Sequence, residues 1–206
     1  RCAARPAALA SSPQGIPAAQ VYEGSNFGNA GQINSTFLAA GGVLALAGDD
    51  PVSKSSTLPS HSEVALYDAL MPTIFPGNVQ DILDLGLHGF MLSRISGLWV
   101  GVKIVTNVAD EAGTAEVSPE RIRPIIPTVE LDGRRFEPAI HVNLIPPYGL
   151  DMERTLHHAR LELARLYAYE NKLNRITVPT PDAWLGIMTS GKTYYDVRQA
   201  LLDLGF

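Results

Sequence analysis

The chain has 206 residues, 46% of them hydrophobic and 18% charged, with a formal net charge of −5. Such a composition suits a globular protein large enough to bury a core. Its acidity argues against a nucleic-acid partner, and no apolar run approaches the roughly 20 residues of a membrane-spanning helix. One cysteine, Cys2, leaves no disulfide framework and no Cys-x-x-Cys for zinc or an iron–sulfur cluster. A cytoplasmic location is the expectation.

The segment "RCAARPAALASSPQGIPAAQ" is rich in Ala, Pro and Ser and carries neither periodicity nor the apolar h-region of a signal peptide. Residues 1–24 are expected to be poorly ordered, and the chain to be an internal fragment of a longer protein.

From Gly41 the pattern becomes regular. "GGVLALAG" is a continuous apolar run closed by glycine, as in a strand buried on both faces. "SHSE" then offers a capping box, Ser60 as N-cap and Glu63 three residues on, for a helix reaching residue 71 with Val64, Tyr67, Leu70 and Met71 inward. "PTIFP" is a short strand between prolines. Asn78 caps a second helix with Asp81 in its first turn, and Val79, Ile82, Leu83, Leu87, Phe90, Met91 and Ile95 form its apolar spacing. Within it Gly86 and Gly89 permit close packing. "LWVGVKIVT" is another buried strand.

Strands alternating with helices predict an open, mostly parallel α/β sheet flanked by helices. Such sheets bind ligands at the carboxyl ends of their strands, where residues 48–59 fall. Residues 107–150 read as a linker or irregular surface connection. Residues 151–172 read as one helix, striped by Met152, Leu156, Ala159, Leu163, Leu166 and Tyr167. "AWLGIMTSG" reads as a strand and turn, and "KTYYDVRQALLDLGF" as a helix. Together they look like the opening of a second α/β domain.

Several motifs bear on chemistry. "GIMTSGKT", residues 186–193, formally matches a phosphate-binding loop, whose backbone N–H groups cradle phosphates. The opposing reading, and the preferred one, is a glycine turn feeding a helix. "GDD" at 48–50 has the hard oxygen ligands that magnesium requires, though Asp50 stands where a Gly-Asp-Gly motif has its second glycine. "SKSST", residues 53–57, supplies one cation and several hydroxyls, suited to a carboxylate or phosphate or equally to a solvated loop. No metal-ligand set emerges, and no nucleophile–His–acid constellation; the catalytic residue is unassigned.

The blocks "GDD…KSST…SE", "NVQDILDLGLHG" and "SGLWVG.K", in this order, resemble the pyrimidine-binding domain of the thiamine-diphosphate-dependent indolepyruvate ferredoxin oxidoreductases. "WLGIMTSGKTYYDVRQALLDLGF" resembles the segment that opens the next domain in the same proteins. The resemblance runs over about residues 41–206. It implies oxidative decarboxylation of an aryl 2-oxoacid such as indolepyruvate to an acyl-CoA, with coenzyme A as co-substrate and ferredoxin as electron acceptor. It implies thiamine diphosphate with Mg²⁺ as cofactor, the magnesium and iron–sulfur ligands lying outside this chain, and assembly with the remaining domains or subunits into an oligomer.

On this resemblance Gly48, Asp49, Asp50, Ser55, Ser56 and Thr57 line the cofactor edge, and Lys54 meets the substrate carboxylate. Residues 25–106 are then a partial pyrimidine-binding-like domain, 107–150 a linker, and 151–206 a helix with the start of the next domain. The activating glutamate of such enzymes lies upstream of "GGVLALAGDD". Residues 1–40 do not resemble that region, so Glu23 is not given the role, and the chain alone is not expected to be a complete catalyst. Alternatives are a nucleotide-binding protein acting through residues 186–193, or a non-catalytic assembly module.

Overall fold

A computed structural model describes the backbone of residues 18–23 and all of residues 41–139 and 145–206. The expectations for residues 1–17, 24–40 and 140–144 lie outside the described residues.

Four parallel strands form the central sheet: β1 (Ala18–Glu23), β2 (Val43–Asp49), β3 (Thr73–Ile74) and β4 (Trp99–Val105), in the order β1-β2-β4-β3. Ala18–Glu23, within the segment expected to be poorly ordered, pairs with Val43–Gly48. β2 and β4 are the central pair, with Val43 opposite Trp99 and Asp49 opposite Val105. Both read as near-continuous apolar runs because both are covered on two faces.

Alternation along the strands assigns each residue to a face. Val43, Ala45, Ala47 and Trp99 pack against Leu66, Ala69 and Met71, from and just after helix α1 (Glu63–Asp68). Val64 and Tyr67, expected inward, are exposed instead. The helix starts at residue 63 and is so short that Leu66, with Ala69 just beyond the helix end, supplies the covering apolar surface.

On the other face Leu44, Ile74, Val100 and Val102 pack against Leu92 of helix α2 (Val79–Ser96). The Asn78 cap is as expected, its side chain accepting the Asp81 N–H at 2.8 Å. The inward line of α2 is the expected one in part, with Phe90, Met91 and Ile95 packed against this core. Gly89, Leu92, Ser93 and Ser96 are buried, whereas Leu83 and Leu87 face outward. A Cβ on Gly89 would come within 2.8 Å of Leu44 Cδ2, so glycine lets the helix approach β2 closely.

After β4, helix α3 (Thr106–Ala109) leads into an irregular stretch holding the antiparallel pair β5 (Glu130–Leu131) and β6 (Arg134–Arg135). The single helix expected over residues 151–172 is three pieces: α4 (Tyr148–Thr155), a π-helical turn (Leu156–Arg160) and α5 (Leu161–Glu170). The inserted residue of a π-turn shifts the helical phase. The stripe nonetheless stays inward, with Met152, Leu156, Ala159, Leu163 and Tyr167 all buried. Leu156, Ala164 and Tyr167 join the core formed by Leu44, Ile74 and Leu92.

The π-turn also delivers Arg160, which is fully buried. Its Nε donates to the Ser96 carbonyl at 3.1 Å and its Nη2 to the Gly97 carbonyl at 2.6 Å. A guanidinium thereby satisfies carbonyls at the C-terminus of α2, where cations are favoured. Burial lowers its pKa to about 10, which leaves it charged at neutral pH.

Helix α6 (Lys192–Asp203) forms where expected. The strand expected over "AWLGIMTSG" does not: residues 185–190 pair with no strand, and Trp184, Leu185, Ile187 and Met188 are exposed. A strand exists only when a neighbouring edge accepts its backbone hydrogen bonds, and this segment pairs with neither edge strand of the described sheet, β1 or β3.

Candidate functional site at the carboxyl ends of β2 and β4

The strand register carries Asp49 and Lys103 to the same end and the same face of the sheet, since Ala47 lies opposite Lys103 and Asp49 opposite Val105. Both are buried. The Asp49 Oδ2 atom lies 3.5 Å from Lys103 Nζ and accepts the Ser62 N–H at 2.9 Å and the Ser62 hydroxyl at 3.0 Å. Glu63 completes the cluster, its Oε1 accepting from Lys103. The lysine ammonium also sits 4.6 Å from the centroid of the Phe75 ring, a cation–π contact.

Two acids and one lysine leave this cluster with one formal negative charge in excess. Burial opposes the charge on Glu63, but the Lys103 hydrogen bond and its own backbone N–H outweigh that and hold its carboxyl below the usual range. Asp49 Oδ1 is buried without a hydrogen-bond partner, an open acceptor at the heart of the site.

The capping-box reading of "SHSE" is therefore replaced. Ser62, not Ser60, is the N-cap residue, and its side chain makes no cap hydrogen bond because it serves Asp49. The Ser60 hydroxyl accepts the Asp50 N–H at 3.0 Å, and the Ser60 N–H donates to the Asp50 carbonyl at 3.1 Å. These two bonds close the base of the loop 50–60.

Inside that loop the Asp50 carboxylate fills a nest of consecutive backbone donors. Oδ1 accepts the Lys54 N–H at 2.8 Å, while Oδ2 accepts those of Ser55 at 2.7 Å and Ser56 at 2.8 Å, with the Ser56 hydroxyl at 3.0 Å. The Ser55 N–H, then those of Ser56 and Lys54, hold the Asp50 carboxyl far below the ordinary carboxylate range despite its burial. The loop's anion-binding amides are thus occupied by its own aspartate.

Of the residues expected to line a site, Asp49 and Asp50 are buried, while Gly48, Ser55, Ser56 and Thr57 are exposed. Lys54 points outward and its Nζ pairs with Asp110 Oδ2 at 2.7 Å, both side chains more than half exposed. The structure brings 48–57 to one strand end but divides them between an internal scaffold and an outer rim. Ser62, Phe75 and Lys103 were missed. A lysine inside the apolar run "LWVGVKIVT" was the available signal, because a buried ammonium demands a carboxylate partner.

The phosphate-loop match at 186–193 is not built as one. No strand precedes it, Lys192 pairs with Asp196 one turn on, and Gly191 is packed against Phe75.

The donor set does not suit magnesium diphosphate. Asp50 is spent on its own loop, Asp49 stands beside a cation, and no cluster of three or more metal-ligating side chains occurs among the described residues. For an organic N–H donor the open Asp49 Oδ1 is an acceptor of the right kind.

In sequence, the chain is similar to two oxidoreductase subunits. The chain is 31% identical over 164 residues to the indolepyruvate oxidoreductase subunit IorA of Methanothermobacter thermautotrophicus, covering 80% of the chain and 25% of that protein. It is 29% identical, with the same coverage, to the subunit of that name from Methanothermobacter marburgensis. It is thus a distant homologue of one segment of these oxidoreductase subunits and spans about a quarter of their length. No family model and no solved structure matches it.

Proposed function

We propose that this chain is part of a 2-oxoacid:ferredoxin oxidoreductase, in which residues 25–106 form a portion of the pyrimidine-binding domain for thiamine diphosphate. Residues 107–150 connect it to residues 151–206, a helix and the start of the next domain. The observation that carries the reading is homology to IorA over 164 residues, a span that includes most of the chain. The strand-end cluster is compatible with it, because parallel α/β sheets place ligands there.

In this reading Asp49 Oδ1 accepts from an N–H of the aminopyrimidine, and the exposed rim of loop 48–57 faces the remainder of the active site. Lys54 is the candidate for the carboxylate of an aryl 2-oxoacid such as indolepyruvate; its half-exposed pair with Asp110 is one that a ligand can displace at small cost. Thiamine diphosphate, when bound, supplies the ylid that decarboxylates the oxoacid. Magnesium, diphosphate and iron–sulfur ligands come from other domains or subunits, as do the contacts to coenzyme A and ferredoxin. A cytoplasmic, oligomeric enzyme belongs to the same proposal.

The test is co-purification of this chain with the polypeptides encoded beside it, followed by assay of indolepyruvate- and CoA-dependent reduction of ferredoxin. Bound thiamine diphosphate and turnover are expected. A complex with neither would overturn the reading in favour of an assembly module.

A further inference from the structure

Phe75 meets both the charge cluster and the Gly191 turn. The Lys103 ammonium lies 4.6 Å from the ring centroid. At Gly191 a Cβ would fall 2.4 Å from Phe75 Cδ2 and 2.5 Å from Cγ, closer than real Cβ atoms come to another heavy atom. The backbone of Gly191 also has φ +56°, which L side chains rarely adopt. No other residue lets the chain lie so close to the ring.

The contact is reciprocal. A Cβ on Gly77 would meet Tyr195 Cε2 at 2.5 Å and the Gly191 carbonyl oxygen at 2.6 Å. The Tyr195 hydroxyl donates to Asp81 Oδ2 at 3.1 Å, the same oxygen that accepts the Gly77 N–H at 3.0 Å. Desolvation first, and then Asp81, raise the Tyr195 pKa to about 12, so the hydroxyl keeps the proton it donates. Two segments 114 positions apart are interlocked glycine to tyrosine and glycine to phenylalanine.

We propose that the Gly191 turn and Tyr195 are positioning elements for the buried charge cluster. By wedging Phe75 in place they keep its ring on Lys103 and Lys103 between Asp49 and Glu63. The motif that formally matches a phosphate loop is, in this role, the back wall of the strand-end site. The inference rests on the proposed function only for the statement that the cluster serves a ligand.

The experiment reads Lys103 directly and needs no cofactor. The folded protein is acylated with acetic anhydride, and peptide mass spectrometry follows Lys103, with exposed Lys172 as internal reference. Gly191→Ala and Phe75→Leu are expected to speed Lys103 labelling by about tenfold, the scale of a desolvated cation–π contact. Phe75→Tyr, which keeps the six-membered aromatic face, is expected to label at the wild-type rate, and Tyr195→Phe to show a smaller rise. A Leu163→Ala variant, destabilised far from the cluster, controls for global opening and is expected to leave Lys103 slow. Equal labelling in wild type, Phe75→Leu and Tyr195→Phe would overturn the proposal even if Gly191→Ala failed to fold. So would a rise of the same size in Leu163→Ala. Because no thiamine diphosphate is present, either outcome is separate from success or failure of the cofactor assay.

Discussion

Lys103 Nζ lies 3.5 Å from Asp49 Oδ2, a buried ion pair bridging the carboxyl ends of two neighbouring parallel strands. Ser62 and Glu63, at the start of α1, supply the remaining contacts, so the pair also fixes where that helix begins. Removing Asp49 leaves Lys103 to Glu63 alone and strands the buried Ser62 N–H and hydroxyl without their acceptor. Asp49→Ala is therefore expected to cost about 1–3 kcal/mol in urea unfolding. Glu63 is half exposed, and Glu63→Gln is expected to cost less than about 1 kcal/mol. Equal losses in the two variants would show that the interior member of the pair has no special weight.

The Asp50 nest gives a local prediction. Its carboxyl is held well below the ordinary aspartate value of 3.8, so its stabilisation is complete above that value and is lost only as pH falls through the lower folded pKa. Amide exchange of Lys54, Ser55 and Ser56 is expected to stay protected at pH 3.5. Asp50→Ala is expected to abolish that protection at neutral pH while β2 amides keep theirs. Hydrogen exchange resolved by residue measures both.

The Lys54–Asp110 pair predicts the opposite pattern. Both side chains are more than half exposed, so Lys54→Ala is expected to shift unfolding by less than about 1 kcal/mol. In the proposed oxidoreductase complex the same variant is expected to raise KM for the oxoacid with stability intact. Unchanged kinetics with indolepyruvate would remove Lys54 from the proposed substrate site.

The frame of this fold was legible because buried parallel strands write themselves as unbroken apolar runs. "GGVLALAG" and "LWVGVKIVT" became β2 and β4, and the Asn78 cap formed as its spacing required. What the sequence concealed were competitions between partners. Ser60 and Glu63 have capping-box spacing, but the Asp50 N–H takes the Ser60 hydroxyl and the buried Lys103 takes the Glu63 carboxylate. Val64 and Tyr67 have helical spacing, yet α1 is too short for the period to decide which side faces the sheet. "AWLGIMTSG" has strand composition but pairs with neither edge of the described sheet. Each miss concerns a choice that only tertiary neighbours make.

The pair His88 and Tyr167 links α2 to α5, the His88 Nδ1 and the tyrosine hydroxyl lying 2.8 Å apart. Burial lowers the His88 pKa below 6.5, partly offset by Asp84, itself paired with Arg121. The folded state thus disfavours the imidazolium relative to the unfolded chain. Its contribution is fully present above pH 6.5 and declines as pH falls below that value through the folded pKa. Stability measured by urea is expected to drop between pH 7 and 5, before the carboxylates titrate, and His88→Gln is expected to flatten that drop. A slope unchanged in the variant would assign it to another group.

Arg160 makes the sharpest stability prediction. Its buried guanidinium donates to two carbonyls, those of Ser96 and Gly97, at the end of α2. Arg160→Met keeps much of the side-chain volume but strands those acceptors in the core, and an unsatisfied buried acceptor costs about 1–3 kcal/mol. The expected loss is about 3 kcal/mol in chemical unfolding. Arg160→Lys is expected to recover little, since one ammonium on a flexible stem does not reproduce the planar fork that reaches both oxygens. The readout is the unfolding midpoint at constant m-value, with exchange at the Gly97 amide, bonded to the Ser93 carbonyl, reporting whether the helix end frays. Full stability in Arg160→Met would mean that the last turn of α2 satisfies its own carbonyls, and that the π-turn which delivers Arg160 to them has no structural consequence there.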